Sequence, residues 1–547
     1  MISFSESGKN THYTCSMIRW FVLYFGLAVL FASCSGTTKK TTIADFFKND
    51  SIPIREKMEK AVSEEYLLEL GFTNDQAQWV KNFYAGREYA PLWINDSTRN
   101  SEGKALTAIL DRSIWYGIPQ NRVQISTLRK KKHLWIDQEL ILTARLSRMI
   151  NDLNNGFMDL TEKKYLPETF CSEQKLDSVL NERNTSNMEK ALFQQGIRDS
   201  NYRFLSLQLY KFCKIHGLEN NSVLVPDEKE DSVNAQAKAA VSLFNKRYLD
   251  TLSPDPEVFK SALKTFQLDN GLRDDGKVGE ATSIALQETN LHKAHRAALV
   301  LEKIRKHDKF PSKFVLVNIP EYLLRLVIRD TLMQTHRIIV GKPEHMTPEL
   351  RSRIHNIVLY PYWNVPYSIA GKEVLPSVKA NSNYLSKNHY KIYRGDTEID
   401  PSTVAWKGIR KNTFPYKLVQ QPGTHNSLGI VKFEFHSQYS VYIHDTPTKY
   451  LFSRDVRAMS HGCMRCQFPD SLAKTILTND SVRKKANPVN GLMIDSLLSL
   501  NEHMDLKLLN PVPVYVEYKT VSADRERMIF YQDIYARDEP YLKLMMH

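Results

Sequence analysis

Hydrophobic and polar positions follow two different periods along this chain. From about residue 74 to residue 218, apolar side chains recur at helical spacing, as at Leu140, Ile141 and Ala144. After Phe314 the period changes to two, in short segments separated by turn residues, which is typical of strands. These segments are FVLVNIP, LLRLVIRD, THRIIVG, VKFEF, YSVYIH and PVPVYVEY. The pattern predicts a multidomain α+β protein in which helices precede a mainly β domain, either sandwich-like or an open barrel.

Two segments interrupt these patterns and suggest domain boundaries. Residues 219–237 are polar and acidic, which predicts a linker after a helical domain at 74–218. Residues 344–415 separate the predicted strands and are too long for a hairpin, which is typical of an active-site lid. We therefore place the β domain at 310–500 with this insertion inside it. Residues 501–547 supply strands that complete either the β domain or the helical part.

A small helical unit is expected at 238–290. Asp255 followed by Pro256 predicts a helix start, because aspartate caps a helix and proline fits its first turn. Glycines then follow at turn positions, in the segment from Phe266 to Thr282. This segment resembles the small three-helix peptidoglycan-binding domain. A simple helical hairpin with an Asp-Gly turn is the alternative.

The first 33 residues have the pattern of an export signal. Phe21 to Ala32 form an apolar run of a dozen residues after Arg19, short for a membrane-spanning helix. The following Ser33-Cys34 completes a sequence that resembles a bacterial lipoprotein signal, which implies cleavage before Cys34 and lipidation of that residue. Residues 34–73 would then form a tether, with the protein on the periplasmic side of the cell envelope. An uncleaved N-terminal anchor is the alternative.

Composition narrows the class of partner. The 547 residues are 42% hydrophobic and 25% charged, which excludes wholesale disorder and indicates several domains. The net charge of +13 fits an anionic partner such as a membrane surface or a cell wall. No run of five basic residues occurs, which argues against nucleic acid. Six cysteines are too few for a disulfide framework, so we expect Cys171 and Cys213 to be buried thiols or one disulfide.

The candidate chemistry lies between residues 439 and 466. His444 ends a predicted strand on the face of Ser440 and Tyr442, and fifteen residues separate it from Ser460-His461-Gly462-Cys463. A thiol needs a nearby base to become a nucleophile at neutral pH, and imidazole is suited to this role. Glycine before the cysteine lets the backbone approach a substrate carbonyl, as an oxyanion hole requires. The basic residues expected to favour the thiolate and attract carboxylates are Lys449, Arg454, Arg457 and Arg465.

This arrangement resembles the catalytic signature of the L,D-transpeptidases of the YkuD type. That signature is a histidine, a spacer of similar length, Ser or Thr, then His-Gly-Cys, a hydrophobic residue and Asn or Arg. The resemblance extends to the large, YcbB-like branch of the family. The segments that carry it are Phe83-Tyr84, Leu92-Trp93, 317–320, 340–342, 347–348, 361–366, 422–433 and 533–538.

The resemblance implies acyl transfer on peptidoglycan stem peptides. Cys463 would attack the carbonyl of the third stem residue and release D-alanine, while His444 takes the thiol proton and later activates the acceptor amine. The amine of a second stem would resolve the thioester and form a 3→3 cross-link. The resemblance implies no metal or other cofactor. Supporting catalytic roles would fall to Ser460, His461, Gly462 and Arg465, and substrate binding to Tyr442, Gly429, Trp363 and Arg457.

The insertion at 344–415 corresponds, by the same resemblance, to a substrate-capping subdomain. Trp363, with Tyr362 and Tyr367, would cover the bound stem peptide. An aromatic mini-core with no contact to substrate is the alternative.

Three other functions are compatible with parts of this pattern. Water could replace the amine, which would make the protein an L,D-carboxypeptidase. The anchor and the 238–290 unit alone could serve a non-catalytic wall-binding protein, although the nucleophile is present. Cys463 and Cys466 also form a C-x-x-C, but the βαβ context of a redox motif and a second ligand pair for a metal are both missing from the sequence.

Overall fold

The computed structural model describes residues 43–546, except 96–97, 125–133, 182–184, 198, 308 and 483–484. Two compact units are present: residues up to Ile52, with helix α1 (Ile43–Lys48), and residues from Pro53 onward. The predicted signal peptide and the lipidation site Cys34 lie outside the described residues and stay predictions. No helix in the described part of the chain has the length and apolar character needed to cross a bilayer.

The helical part begins earlier than the sequence pattern indicates. Residues 54–70, which lie in the predicted tether, form helices that bury Met58, Leu67 and Leu70. The periodic apolar positions within this short stretch explain the difference. The helices are α2 (Ile54–Ala61), α3 (Glu64–Leu70), α4 (Asn74–Ala85), α5 (Ser101–Leu110), α6 (Gln120–Val123), α7 (Trp135–Asn155), α8 (Glu173–Leu180), α9 (Thr185–Phe193) and α10 (Ser200–His216), with a small hairpin of β1 (Met158–Asp159) and β2 (Lys164–Tyr165).

A buried carboxylate organises the centre of this helical part. Glu139 on α7 accepts hydrogen bonds from the backbone N–H groups of Leu92 and Trp93, each at 2.7 Å. It also accepts one from the hydroxyl of Tyr84 at 2.7 Å. Burial raises the pKa of Glu139 despite these donors. The Phe83-Tyr84 and Leu92-Trp93 segments therefore meet around one side chain.

The next unit contains three helices with their own core. They are α11 (Ser232–Asn245), α12 (Pro256–Asp269) and α13 (Glu280–Gln287), followed by α14 (Asn290–Arg305). Helix α11 begins inside the segment predicted to be a linker, because Asp231 caps it by accepting from the N–H of Asn234. Gln267 holds the turn after α12, donating to Asp275 and accepting from the N–H of Gly276 at 2.8 Å. Wall binding by this unit stays a prediction.

The β domain is built around one nine-stranded mixed sheet. Its members in spatial order are residues 458–460, 331–341, 464–466, 443–444, 431–435, 350–359, 504–517, 313–318 and 323–328. The strand 331–341 also pairs with 323–328, so the pairing closes on itself around a buried core. Helices before a mainly β domain confirm the predicted α+β class. In chain order the strands are β3 (Lys313–Asn318), β4 (Leu323–Ile328), β5 (Thr331–Gly341), β6 (Leu350–Leu359), β7 (Trp363–Val365), β8 (Tyr390–Arg394), β9 (Thr397–Ile399), β10 (Lys417–Gln420), β11 (Val431–Phe435), β12 (Ile443–His444), β13 (Ala458–Ser460), β14 (Met464–Cys466), β15 (Ser481–Val482), β16 (Lys485–Ala486), β17 (Met504–Glu517), β18 (Val521–Ala523) and β19 (Met528–Phe530).

A separate subdomain, here called the cap subdomain, spans residues 363–420. Its four strands have the order β7-β10-β8-β9, and they share a core of their own with the helices beside them. These helices are α15 (Tyr367–Ile369), a π-helical turn (Ala370–Val374), α16 (Leu375–Ala380) and α17 (Tyr384–Lys387). The predicted insertion began at 344, but β6 pairs with β11 and β17 in the main sheet. Polar residues interrupt the alternation of β6, which hides this strand in the sequence.

The C-terminal residues belong to both parts of the fold. Strand β17 lies between β6 and β3 in the main sheet. Helices α18 (Pro469–Thr478) and α19 (Ile494–Ser499) precede this strand, and helix α20 (Glu539–Met546) follows it. Beyond β17, Arg296 of α14 donates to the carbonyl of Thr520 at 2.9 Å. Lys303, two turns further along α14, donates to the carboxylate of Asp538 at 2.7 Å. The last residues therefore complete the sheet and attach it to α14.

Candidate active site

The candidate base ends one of two paired parallel strands, and the candidate nucleophile immediately precedes the other. His444 is the last residue of β12, and Cys463 directly precedes β14. The two strands pair in parallel, with Ile443 opposite Met464, and the N–H of Met464 donates to the carbonyl of Tyr442 at 3.0 Å. His444 is buried and Cys463 is half-buried. Strand pairing thus places on neighbouring strands two residues that eighteen intervening residues separate in the sequence. The strand is shorter than predicted, since only 443–444 pair.

The turn that carries the thiol is held by two hydroxyl groups. Ser460 donates to the carbonyl of Cys463 at 2.6 Å and accepts from the N–H of Gly462 at 3.2 Å. Thr347 donates to the carbonyl of Gly462 at 2.9 Å and accepts from the N–H of Gly341 at 2.8 Å. Gly462 has a φ of 109°, in the region that favours glycine. Ser460 therefore positions the thiol, and Thr347 adds a support that sequence reasoning did not place in the site.

The thiol is surrounded by hydrogen-bond donors and cations. Burial raises the pKa of Cys463, and several groups act against this effect. The backbone and the hydroxyl of Tyr442, and the charges of Lys432 and Arg465, all act to lower the pKa of the thiol. Arg465 and Tyr442 were predicted for the site. Lys432 was missed, although its place opposite His444 in the β11–β12 pair explains its effect.

The imidazole of His444 is held in its neutral form. Burial, with the charges of Arg465 and Lys432, lowers the pKa of His444 to about 3. Its Nδ1 is buried and has no hydrogen-bond partner in the described part of the chain. A neutral imidazole with an unoccupied ring nitrogen can accept a proton from a neighbouring group. The lowered pKa favours a neutral imidazole over a preformed imidazolium–thiolate pair.

Arg457, which was predicted to bind substrate, forms hydrogen bonds with the backbone of the fold. The guanidinium of Arg457 donates to the carbonyls of Ile338, Arg454 and Tyr322 at 3.1, 2.7 and 3.2 Å. Burial lowers the pKa of Arg457 to about 10. These contacts tie β13 to the neighbouring strand and turn. Because the guanidinium already donates to backbone carbonyls, Arg457 contributes to the fold around β13.

Gly429 and Lys449 both lie against Asp445, the residue that follows His444. Gly429 has a φ of 61°, and a Cβ at this position would collide with the carboxylate of Asp445. That carboxylate accepts from the N–H of Ile430 at 3.0 Å and forms an ion pair with Lys449. Gly429 therefore lets the loop before β11 pack beside the base, and Lys449 is committed to Asp445.

A cavity lies beside residues 460–463, the turn that carries the thiol and is here called the catalytic turn. Its volume is about 510 Å³, within the range of sites that hold peptide-sized ligands. Arg537 in its wall bonds Glu349 at 2.9 Å and the carbonyl of Thr347 at 3.2 Å. Other lining residues are His345, Met346, Tyr439, His461 and Gly462. The cavity therefore combines charged, imidazole and aromatic groups beside the residue that precedes the thiol.

The cap subdomain approaches the candidate site at two points. Glu373, in the π-helical turn, forms an ion pair with His461 at 2.6 Å. The side chain of Trp363, in β7, lies near that of Tyr442 and acts to lower the pKa of its hydroxyl. Trp363 is thus brought to the site as predicted, whereas Tyr362 and Tyr367 are 44% and 65% exposed. Glu373 was missed, because nothing in its local sequence indicates a partner 88 residues away.

The remaining cysteines do not share the environment of Cys463. Cys466 is buried and its thiol donates to the carbonyl of Gln467 at 3.4 Å, and burial raises its pKa. Cys171, Cys213, Cys463 and Cys466 are all free thiols. Within the described residues, no group of three or more His, Cys, Asp or Glu side chains could hold a metal ion.

Comparison with known proteins identifies two domains in this chain. Residues 312–484 match the L,D-transpeptidase catalytic domain (YkuD), and residues 78–209 match the Scaffold domain. The chain therefore contains a YkuD-type L,D-transpeptidase catalytic domain preceded by a Scaffold domain, which confirms the resemblance found in the sequence. Both His444 and Cys463 lie within the matched catalytic domain.

A curated protein and a solved structure are also similar. The chain is 31% identical over 253 residues to a "Putative L,D-transpeptidase" of Haemophilus influenzae, which covers 46% of this chain and 49% of that protein. The chain thus spans about half the length of this relative. The crystal structure of an L,D-transpeptidase (Yku) from Stackebrandtia nassauensis is 12% identical, with a TM-score of 0.19, and the match covers 55% of this chain and 95% of that chain.

Proposed function

We propose that this protein is a cysteine-dependent L,D-transpeptidase that forms 3→3 cross-links between peptidoglycan stem peptides. The observation that carries the proposal is the pairing of the strand that ends at His444, whose Nδ1 has no partner in the described residues, with the strand that directly follows the half-buried thiol of Cys463. Both groups belong to the matched catalytic domain. A nucleophile beside a base that can accept its proton is the arrangement that acyl transfer requires.

The first half-reaction forms a thioester. The Cys463 thiol gives its proton to His444 as the sulfur attacks the carbonyl carbon of the third stem residue. The carbon–nitrogen bond to the terminal D-alanine then breaks, and the leaving amine takes the proton from the imidazolium. The hydroxyl of Ser460 holds the turn that presents the sulfur, so the attack geometry is set before substrate binds.

The second half-reaction transfers the acyl group. The side-chain amine of a second stem attacks the thioester carbonyl, and His444 accepts a proton from that amine. The carbon–sulfur bond breaks and the proton returns to the sulfur, so Cys463 is regenerated. Lys432 and Arg465 assist the attack of the sulfur in the first half-reaction and its departure in the second, since nearby positive charge favours the thiolate.

The cap subdomain favours an amine over water as the acceptor. Its Glu373 forms an ion pair with His461, so the cap subdomain lies against the turn that precedes the thiol. A covered site limits the access of bulk water to a reactive acyl-enzyme. This is why we favour a transpeptidase over an L,D-carboxypeptidase.

Analysis of muropeptides separates these two outcomes. Purified protein incubated with disaccharide-tetrapeptide is expected to produce a 3→3 cross-linked dimer together with D-alanine, detected by liquid chromatography and mass spectrometry. The Cys463→Ala variant under the same conditions is the control and should leave the tetrapeptide unchanged. Formation of tripeptide without any dimer would contradict the proposal and identify a carboxypeptidase.

We further propose that the protein is lipid-anchored through Cys34 on the periplasmic side of a membrane. The support is the apolar run that ends at Ala32-Ser33-Cys34 in the sequence. We expect Cys34→Ala to move the protein from the membrane fraction to the soluble fraction, or to stop its processing. An unchanged membrane fraction and an unchanged mature mass would contradict the anchor.

A further inference from the structure

The cavity beside the catalytic turn has an arginine in its wall that comes from the end of the chain. Arg537 lies beyond residues 312–484, which match the catalytic domain. Gly462, which directly precedes the thiol, lines the same cavity. The volume of about 510 Å³ is enough for part of a peptide. The fold therefore places a cation from a distant segment in a cavity that reaches the residue before the nucleophile.

The guanidinium of Arg537 is held in place by its neighbours. Its Nη1 donates to Oε1 of Glu349 at 2.9 Å, and its Nη2 donates to the carbonyl of Thr347 at 3.2 Å. The guanidinium carbon lies 5.1 Å from the ring centroid of Tyr518 and 5.3 Å from that of Tyr535, which are cation–π contacts. Because these contacts already order the side chain, a ligand that binds it loses little free energy in ordering it further.

The same guanidinium keeps hydrogen-bonding capacity for a ligand. A guanidinium has five N–H groups in a planar fork, which matches the two oxygens of a carboxylate. Among the described residues, the bonds to Glu349 and Thr347 use two of these five groups. Glu349 has partners on both of its oxygens, since Oε2 accepts from the N–H of Tyr518 at 3.2 Å. Arg537 is therefore suited to bind a carboxylate that enters the cavity.

The remaining walls of the cavity suit the uncharged parts of a peptide. Their apolar surface comes from Met346, Pro348 and Val441. The rings of His345 and His461 lie beside each other, with centroids 5.1 Å apart. Among the described residues that line the cavity, Glu349 is the one acidic residue, and it is paired with Arg537. The lining therefore combines one fixed cation with aliphatic and imidazole surface.

We propose that this cavity is a subsite for a carboxylate of the peptidoglycan stem peptide, and that Arg537 is the residue that binds it. The inference rests on the proposed function, because that function makes a stem peptide the ligand. Such a peptide has a carboxylate at two relevant places: on the terminal D-alanine of the donor, and beside the side-chain amine when the diamino acid is diaminopimelate. Binding of either carboxylate holds the peptide beside the turn that carries the thiol, and acyl transfer needs this proximity.

The test measures binding of stem-peptide probes to the full-length Cys463→Ala protein by isothermal titration calorimetry, without turnover. The probes are disaccharide-tetrapeptide that contains diaminopimelate, the same molecule amidated at the D-alanine carboxylate, and the same molecule amidated at the side-chain carboxylate of diaminopimelate. We expect at least one amide to bind roughly tenfold more weakly than the free acid, because a hydrogen-bonded charge pair is lost. The amide that binds weakly identifies the D-alanine end or the diaminopimelate end as the ligand. Equal binding of all three probes would overturn the proposal.

Arg537→Gln in the same background shows whether this arginine binds the carboxylate. We expect this variant to bind the free acid and both amides equally, because the charge that distinguishes them is gone. A purely structural role through Thr347 would weaken all three probes by the same factor and keep the preference for the acid, and that result would overturn the proposal. Arg525→Gln, at an exposed arginine between β18 and β19, is the matched control and should keep the preference.

Thermal melting establishes that each variant is folded. If Arg537→Gln is not, Arg537→Lys serves as the test, and it should reduce the preference for the acid because an ammonium lacks the paired donors of a guanidinium. An unchanged preference in that variant would overturn the proposal. Since the binding assay needs no acyl transfer, a protein that prefers the free acid but forms no cross-linked dimer would contradict the proposed function alone.

Discussion

Replacing Cys463 by alanine should abolish acyl transfer, whereas replacing Cys466 by serine should leave most of it. Cys463 is half-buried, and Tyr442 acts to lower the pKa of its thiol. Cys466 lies in the core of the sheet and bonds the carbonyl of Gln467, a contact that a serine hydroxyl can keep. Loss of the nucleophile removes the covalent route. We therefore expect a decrease of at least about a thousandfold, or roughly 4 kcal/mol in the barrier.

The two variants are compared under reducing conditions, with dimer formation from disaccharide-tetrapeptide as the measurement. Thermal melting of both proteins controls for folding, because a polar oxygen in place of Cys466 can lower stability. If Cys466→Ser were as inactive as Cys463→Ala while it melted normally, a single nucleophile would be the wrong mechanism. The C-x-x-C redox hypothesis would then have to be reconsidered.

Replacing His444 by alanine should slow the reaction by about 10²–10⁴-fold, the range for loss of a general base, and leave a thiol that can still be alkylated. The wild-type protein should also have an unusual pH dependence. The pKa of His444 is lowered to about 3, so the imidazole is already neutral in mildly acidic solution. The rate should therefore rise with pH as Cys463 ionises, with no separate inflection near the ordinary histidine pKa of about 6.5.

Rates of dimer formation between about pH 5 and pH 9 in wild-type protein and in His444→Ala check this expectation. His436→Ala, at an exposed histidine that follows β11, is the matched control and should keep the wild-type profile. A second inflection near about pH 6.5 in the wild-type profile, absent from the variant, would contradict the neutral imidazole, because it would show that His444 titrates in that range.

The local sequence predicted most of the catalytic signature. His444 and Cys463 were found because their residue types and spacing match a family pattern, and the domain comparison confirms that family. Ser460 and Gly462 were found for the same reason, since they are consecutive with the thiol. Trp363 was placed in the cap by resemblance, and the structure places it near Tyr442. Each of these signals lies within one short segment.

Other features escaped prediction because their partners are distant in sequence. Alternation along a strand shows which residues share a face, but it does not show which strand lies beside it or in which register. Lys432 acts on the thiol because β11 pairs with β12, and Glu373 reaches His461 because the cap subdomain folds over the turn. Arg457 was assigned to substrate on its charge alone, and only its carbonyl contacts indicate a role in the fold.

The sequence by itself determined the α+β class, and it predicted the candidate catalytic pair and the choice of Cys463 over Cys466. These depend on periodicity and on the order of adjacent residue types, which are local properties. Tertiary structure alone decided the protonation state of His444, the donors around the sulfur and the contacts of the cap subdomain. The neutral imidazole results from burial together with the charges of Arg465 and Lys432, and burial exists only once strands from distant segments have packed together.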